Sequence, residues 1–86
     1  MKDKVVLITG GTSGIGKALA FAFGREGAKI AVSGRKQAGL TETTAELTAA
    51  GIDNLAIQAD VSIEADCERM VQETLNKYGR LDILIN

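Results

Sequence analysis

Apolar residues along this chain come in two alternating textures. Short, nearly unbroken runs (Val5-Val6-Leu7-Ile8, Lys29-Ile30-Ala31-Val32-Ser33, Leu55-Ala56-Ile57-Gln58-Ala59 and Leu81-Asp82-Ile83-Leu84-Ile85) are separated by longer stretches with apolar positions three or four residues apart. The runs predict strands and the spaced stretches predict helices. The first helix is expected over about Ile15 to Glu26, with Ile15, Ala18, Leu19, Ala22 and Phe23 inward and Gly27 as its stop. Gly24 inside it costs roughly 1 kcal/mol against alanine, which predicts a place of close packing. A second helix is expected from about Gln37 to Ala50, stopping at Gly51, on a thin face of Leu40, Thr44 and Leu47. The third has Ser62 as its expected N-cap and Glu64 and Asp66 in the first turn, where negative charge suits the helix dipole. Its stripe is Ile63, Cys67, Met70, Val71, Leu75 and Tyr78, and Gly79 ends it.

Strands that are nearly all apolar suit a sheet covered on both faces, and strands separated by helices imply right-handed crossovers in a parallel sheet. With no proline, linker or low-complexity run, the chain reads as one α/β unit, β-α-β-α-β-α-β.

Composition narrows the functional classes. A chain of 86 residues that is 45% hydrophobic can build a small core, although a domain of this size buries only ~60% of its extended surface. The net charge of −1 provides no basic footprint for nucleic acid or for an acidic membrane surface. No apolar run approaches the ~20 residues needed to span a bilayer, and no signal-peptide pattern opens the chain. The single cysteine, Cys67, has no internal disulfide partner and reads as a small core residue. With no histidine there is no familiar metal-ligand cluster. The expectation is a soluble cytoplasmic protein that binds neither nucleic acid nor membrane.

The candidate chemistry lies where the first strand meets the first helix, at Thr9-Gly10-Gly11-Thr12-Ser13-Gly14-Ile15-Gly16. The first-turn N–H groups of a helix have no intrahelical partner, and its dipole adds partial positive charge there. Glycines let phosphates approach the backbone without meeting a Cβ. The pattern therefore points to a bound nucleotide. The dinucleotide fingerprint G-x-G-x-x-G fails, because from Gly11 it needs glycine at Ser13 and from Gly14 it needs glycine at Leu19. The phosphate loop G-x-x-x-x-G-K-[ST] fits from Gly11 through Gly16 to Lys17 but breaks at Ala18, which has no hydroxyl for Mg²⁺. A nucleotide-hydrolysing reading suffers from that break. What fits is T-G-x-x-x-G-x-G at Thr9, Gly10, Gly14 and Gly16.

That motif, with the order of elements along the whole chain, resembles the short-chain dehydrogenase/reductase family, whose cofactor loop has this spacing. The resemblance implies a Rossmann-type, doubly wound parallel sheet, here its N-terminal half with strand order 3-2-1-4 and the cofactor across the carboxyl ends near strands 1 and 4. It implies an oxidoreductase that interconverts a carbonyl and an alcohol of a small-molecule substrate by hydride transfer, and a homo-oligomer as the intact protein. Leu81 to Asn86 falls at the start of the family's Asn-Asn-Ala-Gly segment. The catalytic serine and the Tyr-x-x-x-Lys pair lie downstream of it, so this chain is expected to be the N-terminal part of a longer enzyme. Tyr78 is no substitute, since Asp82 and not lysine stands four residues on.

By the same resemblance Gly10, Thr12, Ser13, Gly14, Ile15 and Gly16 bind the cofactor, with Thr12 and Ser13 near the pyrophosphate or a 2′-phosphate. In dinucleotide folds an acid ~20 residues beyond the glycines accepts from the adenosine ribose. The family alignment puts Gly34 there, followed by Arg35 and Lys36. An arginine fork pairs with a 2′-phosphate where an aspartate would repel it, so NADP(H) is expected over NAD(H), against the alternative of a solvated turn. Asp60-Val61 resembles the pair that edges the adenine pocket, Asp60 accepting from the amino group; the alternative is that Asp60 only helps the turn into Ser62. Asn86 is placed beside the cofactor ribose, tying the sheet's carboxyl edge. A non-catalytic sensor or scaffold of the same fold is the competing reading, and the residues from Met1 to Asn86 do not separate it from the enzyme.

Overall fold

The computed structural model describes every residue from Met1 to Asn86. Its elements are β1 (Val5–Thr9), α1 (Gly14–Arg25), β2 (Lys29–Gly34), α2 (Gln37–Ala49), β3 (Asn54–Gln58), α3 (Glu64–Tyr78) and β4 (Ile83–Ile85). β1 has strands on both sides and helices on both faces, which is why Val5, Val6, Leu7 and Ile8 are all buried. The sheet is parallel throughout, as the alternation of runs and helices predicts, and its order is β3-β2-β1-β4, as the family resemblance implies. Leu7 stands beside Ala31 of β2 and Leu84 of β4.

The two faces of the sheet have separate cores. Val6, Ile8, Ile30 and Val32 pack with Ala20 of α1 and with Leu40 and Leu47 of α2. Leu7, Ala31 and Ile57 pack with Met70 of α3. Helices α1 and α2 thus cover one face and α3 the other, as right-handed crossovers that reverse direction after β3 require.

Each helix departs from its expected pattern in detail. In α1 the expected inward stripe is turned: Ile15 is 80% exposed, Ala18 and Ala22 are exposed, and only Leu19 and Phe23 are half-buried. The buried face runs instead through Gly16, Ala20 and Gly24, small residues one turn apart that let the helix settle onto its neighbours. A Cβ at Gly24 would lie 2.6 Å from Ile52 Cγ2, so the close packing expected at this glycine is present. In α2 the buried threonine is Thr43, not Thr44; its hydroxyl donates to the Thr12 carbonyl at 3.4 Å. In α3 the N-cap position belongs to Ile63 and not to Ser62, because Ser62 turns its N–H and hydroxyl to Asp60. The stripe there is Cys67, Met70, Val71, Thr74 and Tyr78, while Ile63 and Leu75 are exposed. Cys67 is half-buried, its thiol directed to the Val61 carbonyl at 3.3 Å.

At the amino end of the sheet Asp82 clasps β4 to β1. Its carboxylate accepts the Val5 N–H at 2.8 Å and two guanidinium bonds from Arg80, at 2.9 and 2.7 Å. The hydrogen bonds from Arg80, then that from Val5, hold the Asp82 carboxyl below its ordinary value of 3.8. A carboxyl with a depressed pKa in the fold stabilises it above the unfolded pKa, and the contribution is lost as pH falls through the folded value. Asp82→Asn should therefore lower Tm at neutral pH and flatten the acid limb of a Tm-against-pH curve. An acid limb identical to wild type would show that the clasp contributes nothing.

Candidate functional site

All three strand-to-helix connections open at the carboxyl edge of the sheet. The β1–α1 loop is pinned where the Gly11 N–H donates to the Ser33 carbonyl at 3.1 Å and where the Thr12 carbonyl accepts the Thr43 hydroxyl. Lys17 N–H returns to the Ser13 carbonyl at 3.3 Å, closing the first helical turn. Between them the N–H groups from Thr12 to Gly16 have no backbone partner, and Ser13 at the cap position makes no side-chain cap. Gly14 has φ +56° at the head of α1, a left-handed conformation that favours glycine. A Cβ at Gly16 would collide with the Gly10 carbonyl, so the turn closes only over a bare Cα.

A second helix start meets the same place. α2 also lacks a side-chain cap, and neither α1 nor α2 has an acid in its first turn. In α3, by contrast, Glu64 and Asp66 occupy the first turn, and Asp66 accepts the Asp60 N–H at 2.8 Å. All three helix starts lack a side-chain cap, but only α1 and α2 point N–H groups at this edge with no acid beside them.

These connections enclose an open cleft of about 690 Å³. Gly10, Thr12 and Ser13 form one wall, Gly34, Arg35 and Lys36 the second, and Asp60, Val61 and Ser62 the third. Asp60 is the one acidic residue in the lining. Its Oδ1 accepts both the N–H and the hydroxyl of Ser62, at 2.9 and 2.7 Å, and the hydroxyl bond foremost holds its pKa low. Arg35 is exposed, with its guanidinium in no ion pair.

The sequence model of the short chain dehydrogenase family matches residues 4–86. The chain belongs to the short-chain dehydrogenases. It is 40% identical to the peroxisomal 2,4-dienoyl-CoA reductase of Arabidopsis thaliana over all of this chain and 29% of that one. It is also 40% identical to the chloroplastic NADPH-dependent aldehyde reductase 1 of the same plant, over all of this chain and 32% of that protein. Among solved structures, apo glucose dehydrogenase of Caenorhabditis elegans superposes with a TM-score of 0.93 at 42% identity, over 99% of this chain and 37% of that one. An actinorhodin polyketide ketoreductase variant with NADPH gives 0.93 at 36% identity, over 98% of this chain and 33% of that one. The chain thus spans about a third of the length of the relatives it matches.

Of the positions that the short-chain dehydrogenase resemblance singles out, the fold brings Gly10, Thr12, Ser13, Arg35, Asp60 and Val61 together around the cleft. Gly14 and Gly16 shape the loop beneath it, and Ile15 stands on the rim, exposed. Asn86 lies outside the lining at the exit of β4, where Thr9 Oγ1 reaches the Ile85 carbonyl at 3.3 Å and Asn86 Oδ1 at 3.5 Å. The turn role of Asp60 is present in full, and its Oδ2 keeps no partner within the chain. The sequence reading did not single out Ser33, Ala59 and Gly39, which also line the cleft. Their signal was only that small residues sit where backbones and ligands approach.

Two competing chemistries find no support in the side chains. Lys17, the near-match to a phosphate-loop lysine, pairs with Glu46 of α2 at 2.8 Å and is turned away from the loop it would serve. Tyr78 donates to Asp53 at 2.8 Å, and burial, then that bond, push its phenol well above its ordinary range, making it a poor proton carrier at neutral pH. No helix is long and apolar enough to cross a membrane.

Proposed function

We propose that these residues are the cofactor-binding part of a longer NADP(H)-dependent oxidoreductase that interconverts a carbonyl and an alcohol on a small molecule. One observation carries the cofactor preference. Where a dinucleotide fold places the acid that accepts from the ribose, this chain has Gly34 followed by Arg35, Lys36 and the uncapped start of α2. Such a wall attracts a 2′-phosphate and has no carboxylate to repel it. The related ketoreductase structure holds NADPH and the related aldehyde reductase is NADPH-dependent, which supports the same reading.

In this reading the free N–H groups of the glycine loop hold the pyrophosphate, with the hydroxyls of Thr12 and Ser13 beside it. Ile15 gives the nicotinamide an apolar surface, Asp60 Oδ2 and the Val61 backbone take the adenine edge, and Asn86 stands near the ribose. The bound nicotinamide supplies or accepts the hydride; this chain's residues bind and orient it. The intact protein is a cytoplasmic homo-oligomer.

The test is NADPH oxidation by the intact protein against a panel of aldehydes and ketones, with residues 1–86 alone as a control. Turnover by the intact protein and none by the 86 residues is the expected result. Tight NADPH binding without turnover on any carbonyl would favour a sensor instead.

A further inference from the structure

The floor of the cleft holds one polar group that the fold leaves unused. Ser33 is 1% exposed, and its Oγ is the only buried side-chain nitrogen or oxygen in the chain without a hydrogen-bond partner. A buried hydroxyl with no partner is costly, and native folds rarely keep one without a reason. Its strand position is otherwise satisfied, since its carbonyl accepts the Gly11 N–H.

The pleat says which part of the cleft this hydroxyl serves. Side chains alternate along β2. A Cβ at Gly34 would lie 3.0 Å from the Thr12 methyl and 3.7 Å from Leu40, so position 34 faces α1 and α2. Position 33 therefore faces the other way, with Ala31 and the α3 side, toward Ala59 and the Asp60-Val61 wall. That is the opposite face of β2 from position 34, where a 2′-phosphate would lie.

We infer that the Ser33 hydroxyl is a binding group for the adenosine portion of the dinucleotide, reached directly or across one ordered water, and not for its 2′-phosphate. This rests on the cofactor reading above and adds a residue to it. The partner is common to NADPH and NADH, so Ser33 contributes affinity and Arg35 contributes selectivity.

Two measurements on the intact protein test it. The first is calorimetric titration of ADP-ribose and of its 2′-phosphate into wild type, Ser33→Ala and Ser33→Cys. The second is Tm of each variant without ligand. Loss of one hydrogen bond should weaken both ligands by the same factor, about 2- to 12-fold for alanine, with cysteine between alanine and wild type. Tm of the free protein should hold or rise, because the substitution removes an unsatisfied buried group. A fall in that Tm would mean that the hydroxyl is bonded within the fold, and would overturn the inference. Unchanged affinity for both ligands, or a loss confined to the 2′-phosphate, would overturn it too. If wild type binds neither ligand, the cofactor reading itself fails and the Ser33 assignment falls with it.

Discussion

Replacing Arg35 by alanine in the intact protein should weaken NADPH binding by about 10- to 150-fold and leave NADH binding little changed. A charge-assisted hydrogen bond contributes roughly 1.5–3 kcal/mol, which gives that range. The guanidinium has no competing ion pair, so no internal contact is sacrificed when it turns to a phosphate. Because Arg35 is exposed, the effect should shrink as ionic strength rises. NADH binding is the internal control for folding. The reciprocal change, Gly34→Asp, should favour NADH by giving the ribose an acceptor. Its Cβ would lie 3.0 Å from the Thr12 methyl, so the change should work better beside Thr12→Ser. Equal loss of both cofactors in Arg35→Ala, or a wild type that prefers NADH, would show that this wall does not meet a 2′-phosphate.

A second substitution should remove both cofactors at once. Gly16→Val puts a Cβ where the Gly10 carbonyl already stands, so the loop must open or α1 must back away. Either movement takes free N–H groups away from the place they converge on. Loss of two charge-assisted hydrogen bonds, roughly 3 kcal/mol or more, predicts at least about 100-fold weaker binding of NADPH and NADH alike. Circular dichroism on the same sample separates this from unfolding. A folded Gly16→Val protein with wild-type affinity for either cofactor would remove the loop from the phosphate site.

The alternation of strands and helices was legible because the apolar runs are unbroken and the spaced stretches between them are long enough for helices, whereas the strand order came from the family resemblance of the glycine loop and the order of elements. Gly14 and Gly16 were legible for a different reason: few arrangements other than a turn over bare backbone call for glycines at that spacing. The inward face of α1 was not. Periodicity counts large apolar side chains, whereas this helix approaches its neighbours through Gly16, Ala20 and Gly24 and leaves Ile15 outside. Ser62 was misread because a serine before an acidic turn suits a cap; here Asp60, two residues earlier, takes both of its donors. Ser33 gave no signal at all. A serine at the end of an apolar strand looks like the edge of the run, and only the three-dimensional absence of a partner distinguishes it.

The Asp82 clasp and the cofactor loop sit at opposite ends of the same strand. β1 begins at Val5, held by the Asp82 carboxylate, and ends at Thr9, one residue before the loop glycines. The four residue steps from Val5 to Thr9 separate these ends by roughly 13 Å. Changes that far apart without shared partners are ordinarily additive. Thermal robustness and coenzyme preference are therefore independent dials in this protein, and a lineage or an engineer can turn one without disturbing the other.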